Sequence, residues 1–286
     1  RLLRGFFKLG PIPSFDQLEN PRSNLASEIY SSDQKVLGKF YIENRTNVEY
    51  QQLSPYLIQA LVATEDVRFE RHSGVDARGL FRVVVKTIFG GNQSSGGGST
   101  ITQQLAKNLF ERPKDISKLK LVTIKFREWV TAIKLERNYT KEEIIAMYFN
   151  TVDFGNQSFG IKSAAKTYFD KTPDSLKIEE CAMLVGMLKA PTAFSPMRYP
   201  EKAKERRIVV LNQMRRYGYI TREEYDSLKE VPLVTSKFRV QDHNEGQATY
   251  FREYLRKTMT ATEPERNDFV SEEEYEIARD QWKNND

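Results

Sequence analysis

The sequence predicts a mainly α fold with a small β hairpin near the N-terminus, and three observations carry that expectation. Apolar residues recur at helical spacing in segment after segment between residues 54 and 229. Strand-like character is confined to one short hairpin, Ala26–Tyr30 and Lys35–Ile42, separated by Ser-Ser-Asp-Gln. A hydrophobic content of 39% and an aromatic content of 12% over 286 residues are enough for a core, while 29% charged residues keep the surface wet.

Taken in order, the chain opens on Arg-Leu-Leu-Arg-Gly-Phe-Phe-Lys, which reads as the stub beside a membrane anchor or as an interfacial helix. On that reading the chain is a fragment of something longer. Residues 11–24 are an irregular extended segment and the hairpin follows. Helices are expected at 54–70, 75–89, 100–110, 117–137, 140–149, 160–170, 177–189, 200–217 and 221–229. Ser54 is placed as the N-cap of the first, with Pro55 at its first helical position. Residues 92–98 form a Gly/Ser loop. Beyond Val231 the periodicity weakens into a highly charged tail, with helices expected at Thr249–Thr258 and Ser271–Trp282. The longest uncharged stretch, Ile88 to Ala106, is too rich in Gly, Ser, Gln and Thr to span a membrane.

The net charge of +5, from 44 basic and 39 acidic residues, is too mild for a general nucleic-acid coat, and no nucleic-acid motif occurs. An anionic ligand or an anionic membrane surface fits better. The single cysteine, Cys181, lies in an apolar run and reads as a small buried hydrophobe. His72 has no Cys or His neighbour at metal-ligand spacing and the other histidine, His243, lies far along the chain, which disfavours a histidine zinc site; His72 is expected to lock the turn after Phe69. Ser-x-x-Lys patterns occur without a following Lys-Thr-Gly, which discards acyl-enzyme chemistry.

Three places carry chemistry. Leu57, Ile58, Leu61 and Val62 form an apolar stripe, and Glu65 falls four residues after Leu61, where the period asks for a hydrophobe. Desolvation there would raise its pKa toward the range useful for proton transfer. A helix-end glutamate turned to solvent or paired with Arg68 is the other reading, and this segment alone leaves both open. Second, Gly96-Gly-Gly-Ser-Thr-Ile-Thr-Gln-Gln104 runs a glycine loop into a helix start, which favours an anion such as phosphate. It lacks the lysine of a nucleotide-binding loop. Thr100, Gln104, Lys107 and Asn108 share roughly one face of the helix that follows, beside Gln103. Third, Lys125 and Glu128 are i, i+3 neighbours on the flank of a stripe made of Val122, Phe126, Trp129, Val130 and Ile133. That pair suits a phosphate-binding site, and equally an ordinary surface ion pair.

In order and spacing, these pieces resemble a peptidoglycan glycosyltransferase of family 51, the polymerase domain of a class A penicillin-binding protein. The motifs are Glu65-Asp66-x-x-Phe69-x-x-His72-x-Gly74, Gly98-Ser-Thr-Ile-Thr-Gln-Gln104, Lys125-x-x-Glu128, Tyr148-Phe-Asn150 through Phe154-Gly155, and Glu180-x-Ala182-Met-Leu-Val-Gly186-x-x-Lys189-Ala-Pro191. The similarity runs over about residues 25 to 222. It implies a lysozyme-like fold with head and jaw lobes. The implied organisation is a membrane-proximal segment with the hairpin at 1–45, the glycosyltransferase domain at 46–225, and a linker or tail at 226–286 toward an absent transpeptidase domain. The implied activity joins lipid II into β-1,4-linked glycan with inversion, on the extracytoplasmic face of the cell membrane.

Carried over residue by residue, Glu65 resembles the general base that takes the proton of the acceptor sugar's 4-hydroxyl. Glu128, with Lys125, resembles the group that positions and stabilises the departing diphosphate. Asp66, Ser99, Thr100, Gln103, Gln104, Lys107, Asn108, Arg127 and Lys189 are the further substrate-binding candidates. One departure stands out: the family commonly has Arg-Lys in the third motif, where this chain has Ile124-Lys125. One diphosphate contact is then either absent or supplied by Arg127 or Arg112. No metal site is required by the sequence, although the resemblance implies that a divalent cation (Mg or Mn) can assist the diphosphate. The rival reading is a lytic enzyme on a lysozyme-like fold. It accounts for Glu65 but not for the Lys125/Glu128 pair or the Gly-Ser-Thr helix start.

Overall fold

The computed structural model describes residues 27–30, 32–33, 36–40, 47–79, 98–109, 118–233, 236–239, 251, 264, 266 and 271–283. They fall into two units, one within Glu43–Val240 and the other within Ala26–Ile42 and Gln241–Asp286. The second unit holds an antiparallel pair, β1 (Ser27–Tyr30) and β2 (Val36–Phe40), with Ser27 opposite Phe40 and a bulge at Ile29/Tyr30. It also holds the tail helix Glu272–Lys283. The Gly/Ser loop up to Gly97 lies outside the described residues, as do most of the helices expected at 75–89 and 249–258. The first turn of the former is helical at 77–79.

The larger unit is helical, as the periodicity predicts. Its helices are α1 (Pro55–Glu65), α2 (Ile101–Leu109), α3 (Lys118–Asn138), α4 (Lys141–Thr151), α5 (Ile161–Phe169), α6 (Ile178–Met187), α7 (Pro200–Arg216) and α8 (Arg222–Leu228). α1 packs on α6 and α7, and α2 on α3 and α4. Leu57, Leu61, Phe69, Ile101, Leu105, Phe149, Phe154, Leu184 and Val210 are among the core residues shut off from solvent. No described helix is long and apolar enough to cross a membrane.

Two expectations need correction. The first helix ends at Glu65, not at residue 70. Asp66 leaves the helical region (φ −155°, ψ 73°), and a short 3-10 turn, Phe69–Arg71, follows. Ser54 stands at the N-cap position, but its hydroxyl donates to the Leu176 carbonyl at 3.1 Å instead of capping α1. The other correction concerns α3. Its expected inward stripe looks outward at Phe126 (50% exposed) and Ile133 (36%), while Ile124, Glu128, Thr131, Ala132 and Leu135 are buried. Glu128 therefore sits on the inner face of the helix and not on the flank of an apolar stripe.

Several motif residues turn out to brace the fold. Asn150 exchanges two hydrogen bonds of 2.9 Å with the Val48 backbone, as a strand partner would. The Tyr168 hydroxyl donates to the Phe154 carbonyl at 2.8 Å. Lys171 grips both oxygens of Glu180 at 2.8 Å. Cys181 is fully buried, as expected, and burial pushes its thiol up to about 12.

Candidate active site

Glu65 is the last residue of α1, so its side chain leaves the helix end with no further turn to cover it. The carboxylate is 19% exposed. Gln104 of α2 donates its amide to Glu65 Oε2 at 2.9 Å. Tyr148 of α4 donates its hydroxyl to the Gln104 carbonyl oxygen at 3.1 Å. The second bond orients the first: with Oε1 of Gln104 occupied as an acceptor, its NH2 faces Glu65. Burial, and then the field of Glu65, raises the Tyr148 phenol above its ordinary range, so it stays protonated and donating.

On the other side Arg206 of α7 brings Nη2 to 4.0 Å from Glu65 Oε1. It reaches there across α6, donating from Nε to the Gly186 carbonyl at 3.3 Å. A Cβ at Gly186 would lie 3.2 Å from Arg206 Cγ, so the glycine is what lets the arginine pass. Burial lowers the Arg206 pKa and Glu65 opposes that shift. Arg68, proposed from sequence as a partner for Glu65, forks onto Asp76 instead, with Nε to Oδ2 at 3.1 Å.

Asp66 points the other way. It is 7% exposed, and its carboxylate accepts from the Ile101 backbone N–H at 3.1 Å and meets His72 Nε2 at 3.0 Å. It thus satisfies a free donor at the start of α2 and pins the turn that follows α1. Thr100 and Gln103 form a reciprocal cap there: Gln103 N–H donates to Thr100 Oγ1 at 3.1 Å, and Thr100 N–H to Gln103 Oε1 at 3.3 Å. The Thr100 hydroxyl donates to the Gly74 carbonyl at 2.7 Å. Gly74 itself has φ +88°, and a Cβ there would lie 2.7 Å from the Ala132 carbonyl carbon, so only glycine lets this loop rest on α3. Lys141 closes the loop from α4, with bonds to the His72 carbonyl at 2.7 Å and Glu136 at 2.9 Å. Asp66, Thr100 and Gln103 are thus buried and occupied, where the sequence placed them among substrate contacts. Their observed work is to hold α1 and α2 end to end. His72 locks the turn, as expected.

Ser99, one residue before this cap, accepts from Lys125 Nζ at 3.4 Å, and the same ammonium stands 2.9 Å from Glu128 Oε2. Glu128 is 5% exposed while the Lys125 side chain is 42% exposed, so the buried carboxylate holds a lysine that still faces solvent. The two acidic candidates are linked through one continuous assembly: Glu65–Asp66, the α2 start, Ser99, Lys125, Glu128. Lys107, Asn108 and Lys189 are exposed and Arg127 is half-buried. Ile124, where the family pattern has arginine, is buried at 6% exposure. Arg112 lies outside the described residues. Among the described residues no group of three or more His, Cys, Asp or Glu could hold a metal ion.

Sequence reasoning missed Arg206, Tyr148 and Gly186 as parts of the Glu65 environment. Tyr148 and Gly186 sat inside quoted motifs without a role. Arg206 lay outside the quoted motifs, in the helix expected at 200–217. Its signal was an adjacent arginine pair in a helix whose buried positions include Ala203, Arg207, Val210, Leu211 and Met214.

A carboxylate oriented by an amide and faced by a guanidinium thus stands in one assembly with the start of α2 and a Lys–Glu pair. A family profile described as Transglycosylase matches residues 33–215, and the chain belongs to that family. Penicillin-binding protein 1A of Escherichia coli (strain K12) is 37% identical over 218 residues, covering 76% of this chain and 25% of that protein. Penicillin-binding protein 1A of Neisseria flavescens is 37% identical over 248 residues, covering 87% and 30%. The chain thus spans between a quarter and a third of these relatives' length. The crystal structure of Penicillin-Binding Protein 1A from Haemophilus influenzae matches with a TM-score of 0.44 at 23% identity, over 87% of this chain and 25% of that one.

Proposed function

We propose that this chain is a peptidoglycan glycosyltransferase that polymerises lipid II into β-1,4-linked glycan strands with release of undecaprenyl diphosphate. The observation that carries the reading is Glu65, a helix-end carboxylate with one oxygen held by Gln104 and the other facing Arg206. In this reading Glu65 takes the proton from the acceptor sugar's 4-hydroxyl. The freed oxygen attacks the donor's anomeric carbon, and the bond to the diphosphate breaks with its electron pair leaving on the phosphate oxygen. Attack opposite the leaving group inverts the centre. Lys125, steadied by Glu128 and Ser99, faces the diphosphate, with Lys107, Asn108, Arg127 and Lys189 as further contacts. The outward Phe126 and Ile133 on α3 support a lipid-facing surface, which a lipid-linked substrate requires. An anchor and a transpeptidase domain outside this chain belong to the same proposal, as does an extracytoplasmic location.

The deciding experiment supplies purified lipid II and, separately, preformed glycan. New polymer from lipid II supports the synthase. Shortening of glycan with no polymer would establish the lytic reading instead.

Two substitutions probe the parts. Lys125→Ala is expected to lower kcat by about 10²-fold, in the range seen when one donor to developing charge is removed. Glycan synthesis at saturating lipid II measures it, and unchanged kinetics would take Lys125 out of the leaving-group role. Arg206→Ala is expected to lower the rate about tenfold, roughly 1.4 kcal/mol of barrier, at nearly constant KM, with partial recovery in Arg206→Lys. Arg206 acts by positioning Glu65, so a rise in KM alone would assign it to substrate binding instead.

A further inference from the structure

Next to Arg206 in α7, Arg207 turns to a different part of the molecule. It is 2% exposed. Its Nη2 donates to the Val231 carbonyl, but its Nε is buried without a hydrogen-bond partner. An arginine cannot shed its charge, so a guanidinium buried with one carbonyl and no paired carboxylate is an incomplete ion pair. Burial lowers its pKa, and Glu179 works against that shift from beyond salt-bridge range.

Arg207 lines a cavity of about 340 Å³, within the size range of small-molecule sites. Lys171, Lys177 and Lys237 also line it, with Glu179 and Glu180 as the opposing charges. Glu180 is already spent: both its oxygens are held by Lys171, and it also accepts from the Lys177 backbone N–H at 2.8 Å. That leaves the cationic side in excess. Phe169, Met183 and Leu233 supply apolar walls. None of the residues placed around Glu65 or Glu128 belongs to this cavity.

We propose that this cavity, lined by α6, α7, residues 231–233 and Lys237, is a second ligand site, which takes a small organic anion: a phosphate or carboxylate carrying a compact apolar substituent. The anionic group completes the buried guanidinium's unmet hydrogen bonding, with Lys177 and Lys237 at its edge. The substituent lies against Phe169, Met183 and Leu233.

Phenyl phosphate is the probe, with phenol and inorganic phosphate as its halves, read by thermal unfolding of the intact chain. The expected result is a Tm that climbs with phenyl phosphate concentration, as ligand linkage requires. Inorganic phosphate gives a smaller rise and phenol none. Arg207→Met, close in volume and uncharged, keeps or raises the ligand-free Tm and loses the rise. Lys125→Ala keeps it, which separates this site from the cleft whatever becomes of the glycosyltransferase reading. If Arg207→Met does not fold, Lys177→Ala with Lys237→Ala, both exposed positions, is expected to weaken binding about tenfold. No rise in the wild-type chain, an equal rise with phenol, a rise abolished by Lys125→Ala, or a rise retained in full without Arg207 (or, where that variant does not fold, without the two lysines) overturns the proposal.

Discussion

Glu65→Gln is expected to lower lipid II polymerisation by about 10²–10⁴-fold, the range that a positioned general base supplies. The substitution is nearly isosteric, so the replacing side chain still accepts the Gln104 amide bond that Glu65 accepts at 2.9 Å. It removes the proton acceptor and leaves Arg206 without its countercharge. Because the acceptor sugar is held by other groups, KM moves little and kcat carries the loss. Stability falls modestly, by about 1–3 kcal/mol, since a half-buried guanidinium loses its partner. Steady-state polymer synthesis measures the first effect and urea unfolding the second. A variant that polymerises at the parental rate would remove Glu65 from the role of base and return the site to the reading of a surface carboxylate.

Asp66→Ala is expected to act through the fold. The carboxylate is buried, and both of its oxygens are engaged, by His72 and by the Ile101 N–H. Its removal strands a backbone donor at the start of α2 and a buried imidazole together, for a loss of about 3–5 kcal/mol. Because Glu65 is the adjacent residue, activity falls as well, and it falls with the folded fraction. The measurement is the urea midpoint beside activity at a temperature well below Tm. A raised KM with unchanged stability would instead make Asp66 a substrate contact, the role its place in the motif suggests. The two glutamates thus sit on one bracing assembly, in which Asp66, Thr100 and Gln103 are buried while the Lys125 side chain stays exposed.

Much of the fold was legible in the chain. Helices α4 to α8 fall within a residue or two of their periodic segments, because their boundaries carry clear signals. Thr140 and Thr221, for example, each cap a helix with a glutamate three residues on. The end of α1 was not legible, since Val67, Arg68, Phe69 and Glu70 continue a helix-compatible pattern. What stops it is Asp66 reaching a backbone group 35 residues away, and no local propensity encodes that. The buried face of α3 was misread for a related reason. An apolar stripe faces inward only where a partner covers it, and here Phe126 and Ile133 stay outside while Glu128 goes in with Lys125 as its neighbour.

The ordered motifs sufficed to identify the family, to nominate Glu65 and Glu128, and to set Lys125 beside the second carboxylate. These are matters of residue type and short spacing, which a helix turn converts directly into neighbours. The division of labour inside the motifs came only from the folded chain. Asp66, Thr100 and Gln103 turned inward to hold helix ends, Lys107, Asn108 and Lys189 stayed outside, and Arg206 entered the Glu65 site from a helix some 140 residues further along. Burial and long-range hydrogen bonding decide whether a polar side chain meets substrate or scaffold, and both depend on which surfaces close over it once the helices meet.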